Sequence, residues 1–352
     1  MLENYRFIDL FAGIGGFRVA LESFGANCVF SSEWDKYAQK VYEANFGELP
    51  AGDITQISEN DIPNHDILCG GFPCQPFSIS GKQKGFDDIR GTLFFDIARI
   101  VEYHQPKVLF LENVRNFETH DDGKTLKIVK STLKDLGYTV FHKVLNASYF
   151  GLPQNRERVY IVCFRNDLKI EKFNFPKEQN IPIKLKDILL SDTKTEKYRI
   201  ERNDINLRTD VLISGDIFGN YPLAPIRIGE INKGGQGERI YHELGHAITL
   251  SAYGGGIGAK TGVYLINGKI RKLAPRECAR LQGYPDSFIL DSSDSQAYKQ
   301  FGNSVPINVL KSILKSIQIV YSPQYIVLKF LLLPKELTTF LRTYQSIFCQ
   351  FG

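Results

Sequence analysis

One cysteine of this sequence stands in a setting that suits nucleophilic chemistry. Cys74 lies in Gly70-Gly71-Phe72-Pro73-Cys74-Gln75-Pro76, directly after an apolar run that is typical of a buried strand. Because prolines stand on both sides, the thiol cannot easily join a packed element, and we expect it on a loop at the carboxyl edge of a sheet. A thiol in such a place can act as a nucleophile. The common alternative for a lone cysteine is a buried structural role.

Two further apolar runs adjoin charged residues suited to acid and anion chemistry. Glu112 ends the run 108–111, and burial there should raise the pKa of its carboxyl group, so that it could donate a proton near neutrality. Arg156 and Arg158 precede the run 159–163; two residues apart in extended chain, they share one face and could hold an anion together. The ordinary alternatives are a solvated acid and a salt bridge at a sheet edge.

A strand, a glycine-rich turn and a helix over residues 7–24 make a pattern that can cradle a nucleotide. In the turn, Ala12-Gly13-Ile14-Gly15-Gly16, glycines let the backbone approach a ligand, and the helix N-terminus offers unpaired N–H groups. Glu33 follows the second strand, where an acid can accept from a ribose diol. Trp34, the only tryptophan, and Asp53 would suit an adenine ring and its amino group. Many proteins without a nucleotide also contain such a turn.

The segment His242-Glu243-Leu244-Gly245-His246 matches the His-Glu-x-x-His pattern of zinc proteases. That chemistry needs both histidines one turn apart on a helix. Here glycines and β-prone residues surround the motif, and no third ligand follows at the expected spacing. We therefore predict no metal site.

The elements that must position these residues alternate along the first 165 residues. Such alternation predicts an α/β fold with a doubly wound, mostly parallel sheet, whose ligands bind beyond the carboxyl ends of the strands. From about residue 186 to 272 the pattern predicts a smaller β-rich domain. We expect strands at 7–11, 28–30, 66–69, 108–111 and 159–163, and helices at 34–45, 92–103, 123–136, 275–281, 306–319 and from 334 onward.

The composition excludes several classes of protein. In 352 residues, 12% aromatic side chains argue against disorder, and no apolar run approaches the roughly 18 residues of a membrane span. Six cysteines make no disulfide framework, and the N-terminus lacks a signal-peptide pattern, so we expect a reducing compartment. Net charge is only +4, but residues 224–282 hold nine Lys or Arg against four Glu. That excess is typical of a surface that binds phosphates.

Six segments, in order over about 300 residues, resemble the conserved blocks of DNA (cytosine-5)-methyltransferases. The blocks are Asp9-Leu10-Phe11-Ala12-Gly13-Ile14-Gly15-Gly16, Phe72-Pro73-Cys74-Gln75, Glu112-Asn113-Val114, Gln154-x-Arg156-x-Arg158, 276–285 and Gly302-Asn303-Ser304-Val305. The resemblance implies a class I fold of the type that uses S-adenosyl-L-methionine.

The same resemblance implies a mechanism. The Cys74 thiolate would add to C6 of cytosine, so that C5 becomes an enamine carbon able to accept the methyl group. Glu112 would hold a proton toward N3, while Arg156 and Arg158 would fix the carbonyl of the base and a nearby phosphate. C5 and C6 are out of reach inside a stacked duplex, so the base must be extruded. The residues implied to hold the cofactor are Phe11, Gly13, Gly15, Gly16, Glu33, Trp34, Asp53, Ile54, Pro73, Leu93, Asn303 and Val305.

Residues 234–241 and 250–256 resemble the recognition segment of one bacterial member of the family. This implies double-stranded DNA as the partner and a short palindrome containing CpG, GCGC, as the target. Gln236 and Ser80 would fill the space left by the extruded base from opposite grooves, and Arg239 would read guanine edges by a bidentate contact. The residues expected to touch DNA are Ser80, Gln236, Arg239, Thr249, Tyr253 and Gly256.

The expected organisation has a catalytic domain at 1–186, completed by 303–319, and a target-recognition domain at 187–274 across a cleft. A hinge at 275–302 and an extension of unknown role at 320–352 complete it. We expect a monomer in the bacterial cytoplasm, with a companion restriction endonuclease that forms no stable complex with it. One alternative is a tRNA cytosine-5 methyltransferase, against which the full recognition segment argues. Another is a catalytically silent DNA-binding regulator, against which the filled catalytic positions argue.

Overall fold

Six strands from the first half of the chain form one sheet in the order β2-β1-β3-β4-β6-β5. The computed structural model describes residues 2–73, 93–208, 221–253 and 257–320. The strands are β1 (Arg6–Leu10), β2 (Asn27–Ser32), β3 (Ile67–Gly71), β4 (Val108–Val114), β5 (Tyr138–Asn146) and β6 (Glu157–Arg165). The first four strands pair in parallel, and β6 runs antiparallel to both of its neighbours. The expected mostly parallel sheet is confirmed.

Helices cover both faces of this sheet because neighbouring residues of a strand point to opposite sides. The helices of this part are α1 (Gly16–Glu22), α2 (Lys36–Phe46), α3 (Leu93–His104) and α4 (Lys124–Asp135). In β4, Phe110 packs edge-on against Phe17 of α1, with ring centroids 5.1 Å apart. The next residue, Leu111, belongs to a second apolar cluster with Ile97 of α3 and Val129 of α4. The doubly wound architecture is therefore confirmed.

A second sheet forms where the sequence predicts a smaller β-rich unit. Its strands are β7 (Ile205–Leu207), β8 (Arg227–Ile231), β9 (Arg239–His242), β10 (Val263–Ile266) and β11 (Lys269–Arg271), in the order β11-β10-β9-β8-β7. A short helix, α5 (Asp192–Thr195), precedes it. The sheet buries its own small apolar cluster around Ile228, Ile231, Ile240 and Val263.

Three helices end the described chain: α6 (Pro275–Leu281), α7 (Asp294–Asn303) and α8 (Ile307–Val320). The predictions of α6 and α8 are confirmed, and α8 packs on α1. The helix expected from Pro334 lies outside the described residues. Within the ranges that the structure describes, no helix is long and apolar enough to cross a membrane.

The sequence patterns do not predict β5, α5 or α7. β5 is the edge strand of the first sheet, and most of its residues are only half-buried. An edge strand of this kind lacks the continuous apolar run that marks a central strand.

The zinc-protease pattern is not helical. His242 ends β9, and residues 243–245 form the turn that follows. His246 is buried; its Nδ1 lies 3.1 Å from Ser148 Oγ and its Nε2 2.9 Å from the carbonyl of Ile183. The two histidines therefore do not share the helical face on which that metal chemistry depends.

Candidate active site

The carboxyl ends of β3 and β4 bring the second and third sequence blocks together. Gly71 and Glu112 are partners in the parallel register, and a Cβ on Gly71 would lie 3.1 Å from Glu112 Oε2. Asn113 Nδ2 donates a hydrogen bond of 2.9 Å to the carbonyl of Phe72. Pro73 follows and is exposed, and Cys74 lies outside the described residues. The chain that leads to Cys74 thus starts beside the Glu112 carboxylate.

Glu112 is buried near the end of β4 and, within the part of the chain that the structure describes, forms an ion pair with Arg158. Arg158 lies opposite Val114, on the same face of the sheet as Glu112, and its Nε approaches Glu112 Oε1 to 3.0 Å. Burial raises the pKa of Glu112, although the positive charges of Arg158 and Arg156 partly offset that rise. The predicted upward shift is confirmed.

Arg156 and Arg158 lie in one region but have different partners. Whereas Arg158 pairs with Glu112, Arg156 is 1% exposed and donates to three main-chain carbonyls. Its Nη1 reaches the carbonyl of Leu250 at 3.1 Å. Its Nη2 reaches those of Gly302 and Ser304 at 3.0 and 2.6 Å.

The glycine turn after β1 approaches the end of β2 through one acidic side chain. Glu33 is buried; its Oε2 accepts from the N–H of Gly13 and its Oε1 from that of Asp35, both at 2.8 Å. Burial raises the pKa of Glu33. Gly13 has a φ of +55°, and a Cβ there would meet no atom of the described ranges within 4 Å. Trp34 lies next to Glu33 and is 77% exposed.

The last sequence block packs on the same turn. A Cβ on Gly16 would lie 2.6 Å from Val305 Cγ2 and 3.0 Å from the hydroxyl of Tyr284, so only glycine permits this approach. Val305 itself is buried. The structure therefore brings together residues almost 290 positions apart that the sequence assigned to one ligand.

The other predicted cofactor residues come from several different elements. Phe11 directly follows β1 and has a φ of +56°, and Asp53 accepts from the N–H of Thr55 at the start of a 3₁₀ turn. Three further residues of the predicted set are Ile54, which is buried in that turn, Leu93 at the start of α3, and Asn303, which is exposed at the end of α7.

Two loops of the second sheet carry the predicted DNA contacts. Exposed Gln236 begins a 3₁₀ turn that leads to Arg239, the first residue of β9. Gly258 donates 2.8 Å to the carbonyl of Gly237, which joins the two loops. Beyond β9, Thr249 is exposed and Tyr253 is 71% exposed. Ser80 and Gly256 lie outside the described residues.

Sequence reasoning missed two contacts that join distant parts of the site. Lys299 of α7 pairs with Asp35 at 2.6 Å, immediately after the exposed Trp34. Tyr284 and Ser304 share a hydrogen bond of 2.7 Å between their hydroxyls. Neither pair has a local sequence signal, because its partners come together only through the tertiary fold.

The described cysteines are of the ordinary structural kind. Cys28, Cys69, Cys163 and Cys278 are all buried, and burial raises the pKa of each thiol. A thiol held protonated in this way is a poor nucleophile.

Residues 5–319 match the family model described as C-5 cytosine-specific DNA methylase. The chain belongs to that family. It is a DNA (cytosine-5)-methyltransferase, and its cofactor is S-adenosyl-L-methionine.

Curated relatives agree with this membership, and solved structures show the same fold. The methyltransferase is 62% identical over 316 residues to the type II methyltransferase M.HhaI of Haemophilus parahaemolyticus, covering 90% of this chain and 95% of that protein. It is 46% identical to the type II methyltransferase M.HpaII of Haemophilus parainfluenzae, and the match covers 90% of this chain and 89% of that protein. The crystal structure of the S. pombe Dnmt2 methyltransferase has a TM-score of 0.68 at 21% identity, covering 90% and 98%. The structure of the Entamoeba histolytica methyltransferase EhMeth has a TM-score of 0.66 at 20% identity, and the match covers 91% of this chain and 99% of that one. These structures share the fold.

The residues around the glycine turn fit S-adenosyl-L-methionine. Trp34 offers an exposed aromatic face for adenine, beside the Glu33 carboxylate, which suits a ribose. Asp9 is 1% exposed, and among the described residues its Oδ2 has no hydrogen-bond partner. No atom of the described residues would lie within 4 Å of a Cβ on Gly13, so these residues leave space there for a ligand.

Proposed function

We propose that this methyltransferase is a restriction-modification enzyme that methylates C5 of an extruded cytosine in double-stranded DNA, within GCGC. The observation that carries the proposal is the arrangement at the ends of β3 and β4. There the chain leading to Cys74 starts beside Glu112, and Arg158 holds that carboxylate at 3.0 Å. The target sequence is proposed from the 62% identity to M.HhaI.

The reaction begins with this chain's own nucleophile. The Cys74 thiolate forms a bond to C6 of cytosine, and the electron pair displaced from the C5–C6 double bond moves toward N3. Glu112 donates its proton to N3, so the adduct carries no net negative charge and C5 becomes an enamine carbon. A raised pKa suits Glu112 to this step because the acid form persists closer to neutrality. Once C5 has accepted the methyl group, the C5 proton is lost to water and the Cys74 thiolate departs, which restores the C5–C6 double bond, and the N3 proton returns to the Glu112 carboxylate.

S-adenosyl-L-methionine supplies the methyl group from its sulfonium. We propose that Trp34, Glu33 and Asp53 hold its adenosine, while the turn at Gly13 and the segment 303–305 close around the rest. The full proposed set is Phe11, Gly13, Gly15, Gly16, Glu33, Trp34, Asp53, Ile54, Pro73, Leu93, Asn303 and Val305.

DNA would lie between the first sheet and the loops of the second. Arg158 fixes the extruded base beside Glu112, and Gln236 with Ser80 fills the space that the base leaves. Arg239 reads guanine. Thr249, Tyr253 and Gly256 complete the proposed contact set. This division corresponds to a catalytic domain at 1–186, completed by 303–319, a recognition domain at 187–274 and a hinge at 275–302. We further propose a monomer that works in the cytoplasm beside a companion endonuclease.

Replacement of the proposed nucleophile tests the mechanism. Cys74→Ser should abolish transfer of labelled methyl groups to duplex DNA, while binding of the duplex survives. Cys28→Ala is the matched control, because that thiol lies at the start of β2, away from the active edge. Undiminished methylation by Cys74→Ser would overturn the mechanism.

The substrate and target need a separate measurement. Labelled cofactor with duplex DNA or with tRNA distinguishes a DNA enzyme from an RNA enzyme. Bisulfite sequencing of plasmid DNA from cells that express the chain should show methylation within GCGC. Methylation at another sequence would contradict the proposed specificity and leave the chemistry standing.

A further inference from the structure

The buried guanidinium of Arg156 lies where three separate segments meet. One is its own segment, 154–156, which precedes β6. The second is 250–252, whose Leu250 carbonyl accepts from Nη1 at 3.1 Å. The third is 302–304, whose carbonyls at Gly302 and Ser304 both accept from Nη2. We call these three segments the Arg156 junction.

The junction is packed closely as well as hydrogen-bonded. A Cβ on Gly302 would lie 2.2 Å from the nitrogen of Ala252 and 2.3 Å from the carbonyl carbon of Ser251, so the two backbones touch there. Gln154, which is fully buried, accepts from the N–H of Leu250 at 3.1 Å. A shift of one segment must therefore move the others.

Each segment of the junction continues into residues proposed to contact a ligand. Thr249 and Tyr253, on the DNA side, flank 250–252. Asn303 and Val305, on the cofactor side, adjoin the carbonyls that Arg156 holds, and Val305 packs on Gly16 of the glycine turn. The junction thus links the two proposed binding surfaces through covalent bonds and hydrogen bonds.

Arg156 is poorly placed to contact a ligand itself. Its side chain is among the largest that the structure buries completely. Both Nη atoms donate to protein carbonyls, and among the described residues its Nε has no partner although it too is buried. In contrast, Arg158 pairs with the Glu112 carboxylate at the active edge.

We propose that Arg156 is a positioning residue that couples the binding of DNA to the binding of cofactor. DNA docking on 249–253 sets the position of 303–305 through the junction, and cofactor binding does the reverse. The inference rests on the proposed ligand roles of these two segments. Because such coupling is reciprocal, the cofactor must tighten DNA binding by the same factor as DNA tightens cofactor binding.

The test measures that factor in the whole chain. S-adenosylhomocysteine serves as the cofactor probe because it cannot donate a methyl group, and a GCGC duplex serves as the DNA. Fluorescence of Trp34, the only tryptophan, reports cofactor binding, and anisotropy of a labelled duplex reports DNA binding. For the wild type we expect each ligand to tighten the other about tenfold.

Arg156→Lys should bring the coupling factor close to one, with the affinity for either ligand alone changed much less. A single ammonium keeps the charge but cannot bond all three carbonyls in their present arrangement. A merely structural role would lower the fraction of folded protein and leave the factor of the folded molecules unchanged.

Gly302→Ala perturbs the packing of the Arg156 junction without replacing Arg156 itself. Its Cβ would push 251–252 away, so the coupling factor should fall as in Arg156→Lys. This second variant decides the question if Arg156→Lys does not fold.

Two other arginines provide matched controls. Arg271 is 3% exposed and bonded to Glu277, so Arg271→Lys removes buried hydrogen bonds without touching the junction, and it should keep the wild-type factor. Arg158→Lys should slow methyl transfer and also keep the factor.

The possible results separate this proposal from the proposed function. The coupling role would be overturned if the wild-type protein had a coupling factor near one. It would also be overturned if Arg156→Lys and Gly302→Ala both kept the coupling factor of the wild type. An Arg156→Lys variant that slows methyl transfer while it retains the factor would overturn it as well. A wild type that binds neither probe would instead contradict the proposed function.

Discussion

Two buried glutamate–arginine pairs in this protein differ in how completely the carboxylate is hydrogen-bonded. Glu277, where the second sheet meets α6, is 0% exposed and accepts four hydrogen bonds. Two come from Arg271, and two from the N–H groups of Ala274 and Leu190. Glu112, at the end of β4, has Arg158 as its ion-pair partner, through Oε1.

The difference separates a structural pair from a reactive one. A buried carboxylate that is saturated with donors holds its neighbours in place. With few donors, burial favours the protonated form, which is the direction of the Glu112 pKa. Both glutamates are buried, so the number of hydrogen bonds to the carboxylate, more than its burial, distinguishes Glu112, which is suited to catalysis, from Glu277, which stabilises the fold.

The largest expected effect is on catalysis. Glu112→Gln should slow methyl transfer by roughly 10²–10⁴-fold, because an amide cannot give up a proton to N3. Single-turnover transfer from labelled cofactor measures the loss. Stability should change little, because the amide nitrogen can replace Oε2, which accepts no hydrogen bond from the described residues, while the amide oxygen still accepts from Arg158. A rate within tenfold of wild type would contradict the role of Glu112 as acid.

The next effect is on stability. Glu277→Gln should lower the free energy of unfolding by about 3–5 kcal/mol, because it leaves Arg271 charged, buried and poorly paired. Urea denaturation measures this change. Transfer per folded molecule should remain that of the wild type. If Glu112→Gln proves the more destabilising of the two, the distinction drawn from hydrogen-bond saturation fails.

The pH dependence of methyl transfer provides a third comparison. Glu112 must be protonated to act, so the rate should fall as pH rises through its raised pKa. Since the positive charge of Arg158 lowers that pKa, Arg158→Met should move the alkaline fall to higher pH even though the rate itself drops. Rate profiles of both proteins check the direction. The same linkage makes the contribution of Glu112 to stability largest at low pH, and this contribution is lost as pH rises through the folded-state pKa.

The smallest effect concerns a half-exposed pair. Lys299 and Asp35 have side chains 32% and 22% exposed, so solvent and salt screen their attraction. Such an ion pair contributes about 0.2–1 kcal/mol, so Lys299→Met should weaken cofactor binding by only a few-fold. The effect should be smaller still at high ionic strength. Titration of Trp34 fluorescence measures it. A loss far above tenfold would mean that Lys299 contacts the cofactor directly.

Much of the first sheet could be predicted because its signals are local. Apolar runs mark β1, β3, β4 and β6, and glycines mark the turn before α1. The sequence pattern does not predict β5, because an edge strand alternates polar and apolar residues and so gives a weaker signal than a continuous apolar run. The raised pKa of Glu112 was also predictable, since a carboxyl at the end of a buried strand loses water whatever its exact neighbours.

By itself, the sequence determined the order of the elements, the reactive residue types and the family, because periodicity and motif spacing are properties of short segments. Only the tertiary structure decided that Arg158 faces Glu112 while Arg156 holds Leu250, Gly302 and Ser304. Those partners are main-chain carbonyls, which every residue possesses. No pattern of side chains could have distinguished them before the chain brought the three segments together.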